Sequence, residues 1–155
     1  MLLLFGFSRF LAKFAKFAKF ASRFREKDMA DGGCLCGALR FTAEGAPKWT
    51  SYCHCASCRR HTGAPVSAYA GFEREKVRFT QGALARFSSS PGVHRGFCST
   101  CGSTLTYEGE RWPTEIHLHV GAFDDPEPYA PKGHAFAEER LAWLHLEDPP
   151  PEATT

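Results

Sequence analysis

The stretch CHCASC, residues 53–58, places three thiols within six positions of the chain. The other four cysteines form two pairs, Cys34-x-Cys36 and Cys98-x-x-Cys101, so none of the seven stands alone. An odd count leaves one cysteine over in any complete set of disulfides, and a C-x-C disulfide would close a very small, strained ring. The grouping therefore predicts metal binding in a reducing compartment rather than a disulfide framework.

The two cysteine pairs together supply four thiolates. Four thiolates close the tetrahedral coordination of zinc at Zn–S distances of about 2.3 Å, which leaves no position for a substrate. Such a site contributes folding free energy and no chemistry. Gly102, directly after the second pair, is the expected turn residue of a zinc knuckle. The predicted ligands of this structural zinc are Cys34, Cys36, Cys98 and Cys101.

The CHCASC segment has no fourth cysteine left to join it. Three protein ligands with an exchangeable fourth are typical of a reactive zinc site, and the predicted ligands and catalytic residues are Cys53, Cys55 and Cys58. A helical turn that begins after Cys55 would bring Cys58 beside it. Two alternatives stay open: His54 closes the site, although its side chain should leave a strand on the opposite face, or the thiols form a redox or buried cluster without metal.

The chemistry expected of such a site follows from its donor atoms. Three thiolates donate so much charge that the ion they hold is a modest Lewis acid and a poor choice for generating hydroxide. It suits a sulfur substrate better, because an incoming thiol would lose its proton and remain a nucleophile. The expected partners are therefore a small-molecule thiol and a small electrophile such as an aldehyde.

Weaker candidates lie outside the cysteine groups. His117 and His119 share one side of a predicted strand, as some metal pairs do, but this pattern is more often simply a polar face. Arg59 and Arg60 would suit the carboxylate of a peptide-like substrate, with an exposed basic pair as the commoner explanation. Two further residues that would either flank a pocket or fill a core are His134 and Trp143.

The chain from Gly33 onward consists of short alternating segments separated by glycine and proline, which predicts a mainly β domain of small sheets. Helix is expected only as one turn after Cys55. Residues 124–133 contain three prolines in ten positions and are predicted to lack regular structure. The predicted strands are 39–42, 67–72, 76–80, 84–87, 93–97, 104–107 and 115–120.

The charge is unevenly distributed along the chain. Residues 1–28 carry a net charge of +5 and residues 29–155 a net charge of −3, so the body is a poor partner for nucleic acid. We divide the chain into an amphipathic extension at 1–28, a zinc domain at 29–148 and a frayed, proline-rich tail at 149–155. For residues 1–28 three interpretations stay open: upstream sequence before a natural start at Met29, a targeting or membrane-surface helix, or a helix packed on the body.

The order of the motifs resembles one known family. GGCLCGALRF, YCHCASCRRHTGA, GFCSTCGSTL, IHLHVGAFDD and a terminal GHAF…LAW segment, spanning about residues 31–145, are similar to the glutathione-dependent formaldehyde-activating enzyme family, also called the centromere protein V type domain. The resemblance implies an Mss4-like fold of several small coiled β-sheets with a zinc-ribbon-like knuckle. It further implies a second zinc at Cys53, Cys55 and Cys58, where glutathione sulfur binds as it condenses with formaldehyde to S-hydroxymethylglutathione.

The function that follows from the resemblance is that of a cytoplasmic carbon–sulfur lyase or synthase. Its expected cofactors are two Zn²⁺ ions, with glutathione as co-substrate and formaldehyde or a similar small aldehyde as acceptor. A contact with a membrane surface is expected only through residues 1–28, and a homo-oligomer is compatible with the sequence. The rival hypothesis is a noncatalytic zinc-binding scaffold or chaperone-like module in which both zinc sites only support folding.

Overall fold

A computed structural model describes residues 29–147 of the chain. The extension predicted at 1–28 and the tail predicted at 149–155 lie outside these residues. Within residues 29–147, no helix is long and apolar enough to cross a membrane. The regular elements are β1 (Met29–Gly33), β2 (Arg40–Glu44), β3 (Trp49–Cys53), α1 (Ala56–Thr62), β4 (Ser67–Glu73), β5 (Val77–Gln81), β6 (Ala85–Ser90), β7 (Val93–Phe97), β8 (Thr104–Gly109), β9 (Glu115–His119) and β10 (His134–Ala135), with short 3₁₀ turns between some of them.

The strands form two sheets. A three-stranded sheet has the order β1-β2-β5, and a seven-stranded sheet has the order β10-β3-β4-β9-β8-β7-β6. Neighbouring strands are antiparallel throughout, apart from the short parallel pair of β10 with β3. The prediction of a mainly β protein is confirmed.

The sequence pattern located most of these elements. All seven predicted strands are present, and β1, β3 and β10 were missed. The helix after Cys55 is longer than the single turn expected, because it runs from Ala56 to Thr62. The segment 124–133 is not wholly irregular: Glu127–Tyr129 forms one 3₁₀ turn, and Tyr129 is buried against the core.

The main core lies where the small sheet packs on one face of the large one. It combines β2, through Phe41 and Ala43, with residues of β4 and β9 that include Phe72 and Leu118. Phe123 packs on Phe41 with ring centroids 5.3 Å apart. Because side chains alternate along a strand, burial of one set of residues on β4 and β9 turns the intervening residues to the opposite face of the large sheet. That second face carries the candidate site.

Candidate metal centres and the adjoining cleft

The first thiol group joins two loops that are distant in sequence. Cys34 and Cys36 lie between β1 and β2, and Cys98 and Cys101 lie in the turn between β7 and β8. The four Sγ atoms all lie within 4.8 Å of one another. The Sγ–Sγ distance is 3.5 Å from Cys34 to Cys36 and 3.9 Å from Cys36 to Cys98. Sulfurs at the corners of a zinc tetrahedron lie about 3.8 Å apart, so the donor set fits a structural zinc.

Each of the two loops contains a tight turn at a glycine. Gly37 and Gly102 have φ of +74° and +76°, a conformation that favours glycine. The Gly102 N–H donates to the Cys98 carbonyl at 2.8 Å, so Gly102 is the turn residue of this loop. The Leu39 N–H donates to Cys34 Sγ at 3.2 Å, and such donors stabilise a thiolate.

The second thiol group is assembled at the junction of β3 and α1. Cys53 ends the strand, Cys55 is the N-cap of the helix and Cys58 lies in its first turn. The Cys58 N–H donates to Cys55 Sγ at 3.3 Å, and the Sγ atoms of Cys53 and Cys55 are 3.6 Å apart. All three Sγ atoms lie within 4.8 Å of one another. The expected helical turn thus brings the three thiols together, at spacings that suit one tetrahedral ion.

His54 does not join these thiols. Its side chain is fully buried on the other side of the strand, where its Nε2 lies 2.8 Å from Nδ1 of His134 and the two rings stack. Among residues 29–147, the thiol group includes no other cysteine, histidine or carboxylate. The geometry therefore favours a three-ligand set over the alternative in which His54 closes it.

Tyr69 and Arg95 surround Cys58. The Tyr69 hydroxyl donates to Cys58 Sγ at 3.5 Å, and Arg95 Nη1 lies 3.8 Å from the same sulfur. Hydrogen bonds from the Cys53 thiol and then from Tyr69 and Arg95 outweigh the effect of burial and lower the pKa of Cys58 to about 5. The site is therefore electrostatically prepared to hold a thiolate.

The floor of the site is one row of paired residues across the large sheet. From β6 to β3 the cross-strand partners are Phe87, Arg95, Tyr107, His117, Gly71 and Trp49. With the thiols of the second group beside it, this row, apart from Gly71, lines a cleft of about 900 Å³. Sequence reasoning missed Tyr69, Arg95 and most of this row, because only the strand order makes them neighbours.

His117 and His119 share one side of β9, as expected, but that side is buried. His117 lies in the cleft floor, where its ring stacks on Tyr107 at 5.3 Å and meets Trp49 edge-on at 4.6 Å. His119 Nε2 lies 3.2 Å from Thr104 Oγ1. Neither histidine belongs to a thiol group, and the polar face that they share is buried, with His117 5% and His119 7% exposed.

The two arginines after Cys58 differ in their surroundings. Arg59 donates to the backbone carbonyls of His54 and Glu139, at 2.8 Å for Glu139, and so ties the helix to the C-terminal segment. Arg60 is exposed and lines the cleft. Of the pair, only Arg60 lines the cleft.

Two of the aromatic side chains that line the cleft are about half exposed. Phe87 is 58% exposed and Phe136 is 50% exposed. Phe136 has a φ of +54°, which makes it the only non-glycine residue with positive φ in the part of the chain that the structure describes. Trp143, in contrast, is 66% exposed and does not line the cleft. The expectation that Trp143 flanks a pocket or fills a core is therefore wrong, whereas His134 packs on His54.

The fold and the two thiol groups define a mainly β protein with cysteine clusters suited to metal. A family model described as glutathione-dependent formaldehyde-activating enzyme matches residues 29–139, and the chain belongs to this family. The expected family resemblance is confirmed.

Individual relatives agree with this assignment. A Halomonas elongata protein, named as a candidate glutathione-dependent formaldehyde-activating enzyme, is 30% identical over 77% of this chain and 82% of its own length. A Schizosaccharomyces pombe protein named as an uncharacterized lyase is 31% identical over 50% of this chain and 56% of its own length. The crystal structure of a Rhodobacter sphaeroides protein, 22% identical, superposes with a TM-score of 0.53 over 68% of this chain and 99% of that chain. The names of the relatives support an enzyme, and the solved structure supports the fold.

Proposed function

We propose that the protein is a zinc-dependent carbon–sulfur lyase or synthase that activates a small thiol, glutathione, toward formaldehyde or a similar small aldehyde. The observation that carries this proposal is the group of Cys53, Cys55 and Cys58, which opens into a cleft and lacks a fourth protein ligand among residues 29–147. Zinc held by these thiolates would retain one position suited to the sulfur of a thiol, and would keep that sulfur nucleophilic.

The residues around the thiols have distinct tasks in this proposal. Tyr69 and Arg95 donate to Cys58 Sγ and hold its negative charge in a buried setting. The aromatic floor, with Trp49 and Tyr107, excludes water from the reacting sulfur. Arg60 at the cleft mouth is placed to receive a carboxylate of glutathione. The reaction forms a C–S bond between the thiol sulfur and the aldehyde carbon, and the thiol proton passes to the aldehyde oxygen.

The four-thiol group has a separate task. Cys34, Cys36, Cys98 and Cys101 fill a tetrahedral donor set and leave no place for a substrate, so we assign them to folding. All seven cysteines are free thiols in the structure. Free cysteines in metal-type groups suit a reducing compartment, and we therefore propose a cytoplasmic location.

NMR at equilibrium tests the proposal. It measures the rate at which free glutathione and formaldehyde interconvert with their adduct, S-hydroxymethylglutathione. This method detects acceleration even though the condensation also proceeds without a catalyst. We expect the zinc-loaded protein to accelerate exchange, Cys58→Ser to abolish the acceleration, and Ser99→Ala, in an exposed turn, to retain it. No acceleration by a protein that carries two zinc ions would instead support the noncatalytic scaffold.

A further inference from the structure

Arg95 is a buried cation at the centre of the cleft floor. It lies in the middle of β7, with Phe87 of β6 and Tyr107 of β8 as its cross-strand partners. Arg95 is only 4% exposed, and its guanidinium carbon lies 5.3 Å from the ring centroid of Tyr107. A charged side chain so far from water needs a compensating negative charge nearby.

That compensating charge does not come from a carboxylate. Within residues 29–147, no Asp or Glu side chain forms an ion pair with Arg95. Glu108 on β8 and Glu115 on β9 pair with Arg74 and Lys48, and Glu139, which also lines the cleft, accepts from the Ala56 N–H. Arg95 Nε instead donates to the neutral Ser89 hydroxyl at 3.0 Å. Its Nη1 lies 3.8 Å from Cys58 Sγ.

We propose that Arg95 is the fixed counter-charge of the Cys53, Cys55 and Cys58 site and makes that site select an anionic sulfur over a neutral ligand. The inference rests on the proposed function and adds a selectivity-determining residue to it. Three thiolates and one divalent ion carry a net charge of −1, which Arg95 neutralises. With a further thiolate bound, the net charge of the site would be −2 without Arg95 but only −1 with it. Because charges interact more strongly in a medium of low polarity than in water, this difference in net charge should have a large effect on the affinity for a thiolate.

The surroundings of Arg95 also explain why an arginine serves here. Its planar guanidinium lies over the Tyr107 ring while separate N–H groups reach Ser89 and Cys58. A lysine ammonium is a point charge that cannot make all of these contacts at once. Lysine should therefore restore the charge but not the full geometry, which gives the test a graded variant.

The experiment uses the full chain loaded with Co²⁺, whose absorption spectrum reports on ligands bound to the ion. Two probes are titrated: 2-mercaptoethanol, which binds as a thiolate and has no other charge, and imidazole, which binds as a neutral ligand. Without Arg95 the charged probe should lose about tenfold or more in affinity, because only that probe brings charge into the cleft. We therefore expect Arg95→Met to lower the affinity for 2-mercaptoethanol by that factor and to leave the affinity for imidazole within about twofold of the wild-type value.

Two further variants complete the design. Arg95→Lys should recover part of the lost thiolate affinity because it restores the charge. Arg86→Met removes an arginine from the neighbouring strand that pairs with Glu108 and not with the thiols, and it should behave like the wild type. If Arg95→Met does not fold, Arg95→Lys decides, because a fixed charge at this position must preserve the preference for thiolate over imidazole.

If Arg95→Met lowers the affinity for both probes equally, the role of Arg95 is merely structural and the inference is overturned. An unchanged affinity for both probes would also overturn it. The proposed function fails separately if the wild type binds 2-mercaptoethanol but does not accelerate exchange of glutathione with formaldehyde. In that case the role of Arg95 stands. If the wild-type Co²⁺ protein does not bind 2-mercaptoethanol, both the inference and the proposed function fail.

Discussion

The indole of Trp49 lies directly across the backbone of Gly71, so that a Cβ at Gly71 would stand 2.3 Å from Trp49 Cε2. The two residues are cross-strand partners on β3 and β4. The missing side chain lets the indole cover β4, reach the edge of the His117 ring and donate from Nε1 to Glu115 Oε2 at 3.1 Å. Gly71 therefore shapes the aromatic floor of the cleft without contacting the thiols.

Substitution Gly71→Ala should displace the indole of Trp49. Inserting a methyl group where no space exists typically costs about 1–3 kcal/mol of unfolding free energy, and the tryptophan emission should change as the ring moves. Urea unfolding and fluorescence measure both effects. Gly121→Ala is the matched control, because a Cβ there meets nothing within 4 Å. Unchanged stability and emission in Gly71→Ala would show that the contact is not restrictive.

Residues close together in sequence were the predictable part of the site. The thiols of Cys53, Cys55 and Cys58 lie on one turn and its flanking strand, so spacing alone placed them together. Arg95 and Tyr69 meet Cys58 only because β4 and β7 belong to one sheet with a particular strand order. No local pattern encodes that order.

The missed strands have a similar explanation. β1 has the sequence MADGG, which contains no β-branched or aromatic residue. It is held by backbone pairing with β2 across its whole length. The two residues of β10 are likewise strand only because they pair with the end of β3. Tertiary pairing, rather than intrinsic preference, creates both elements.

Loss of one thiol from the four-cysteine group should prevent soluble folding. Cys34→Ser or Cys98→Ser removes a ligand from a closed set, and metal binding in such domains contributes on the order of 10 kcal/mol to folding. Soluble yield, thermal melting and zinc per chain are the measurements. Ser99→Ala changes an exposed residue of the same turn and should leave all three unchanged. Normal yield and melting of the cysteine variants would show this site to be dispensable.

Removal of residues 1–28 should leave the zinc domain intact. Both thiol groups and every strand described above lie after residue 28, so we expect the shortened chain to stay soluble with the same zinc content and melting temperature as the full chain. Size-exclusion chromatography and metal analysis compare the two. Aggregation of the shortened chain alone would show that residues 1–28 cover an apolar surface of the body.

Acidification should destabilise the fold through His119. Burial above all, and then the charges of His61 and Arg95, lower the pKa of His119 from 6.5 to about 3. The folded state therefore keeps this ring neutral while the unfolded chain binds a proton below pH 6.5, so stability falls as the pH falls. Between pH 7 and 5.5 the loss is about 1 kcal/mol. His119→Gln should remove that part of the pH dependence in urea unfolding, and an unchanged dependence would place the proton uptake elsewhere.

Cys55 combines two roles that substitution can separate. Its Sγ belongs to the three-thiol group and also caps α1 by accepting the Cys58 N–H. Serine is a good N-cap and a poor zinc ligand, so Cys55→Ser should stay folded with about one zinc instead of two and lose thiol-dependent chemistry. Cys55→Ala should lose the same zinc and, in addition, about 1 kcal/mol of helix capping.

Cys58→Ser, which leaves the Cys55 cap in place, should match Cys55→Ser in zinc content. Turnover retained with one zinc would contradict the catalytic assignment, whereas unfolding of both serine variants would favour two structural sites.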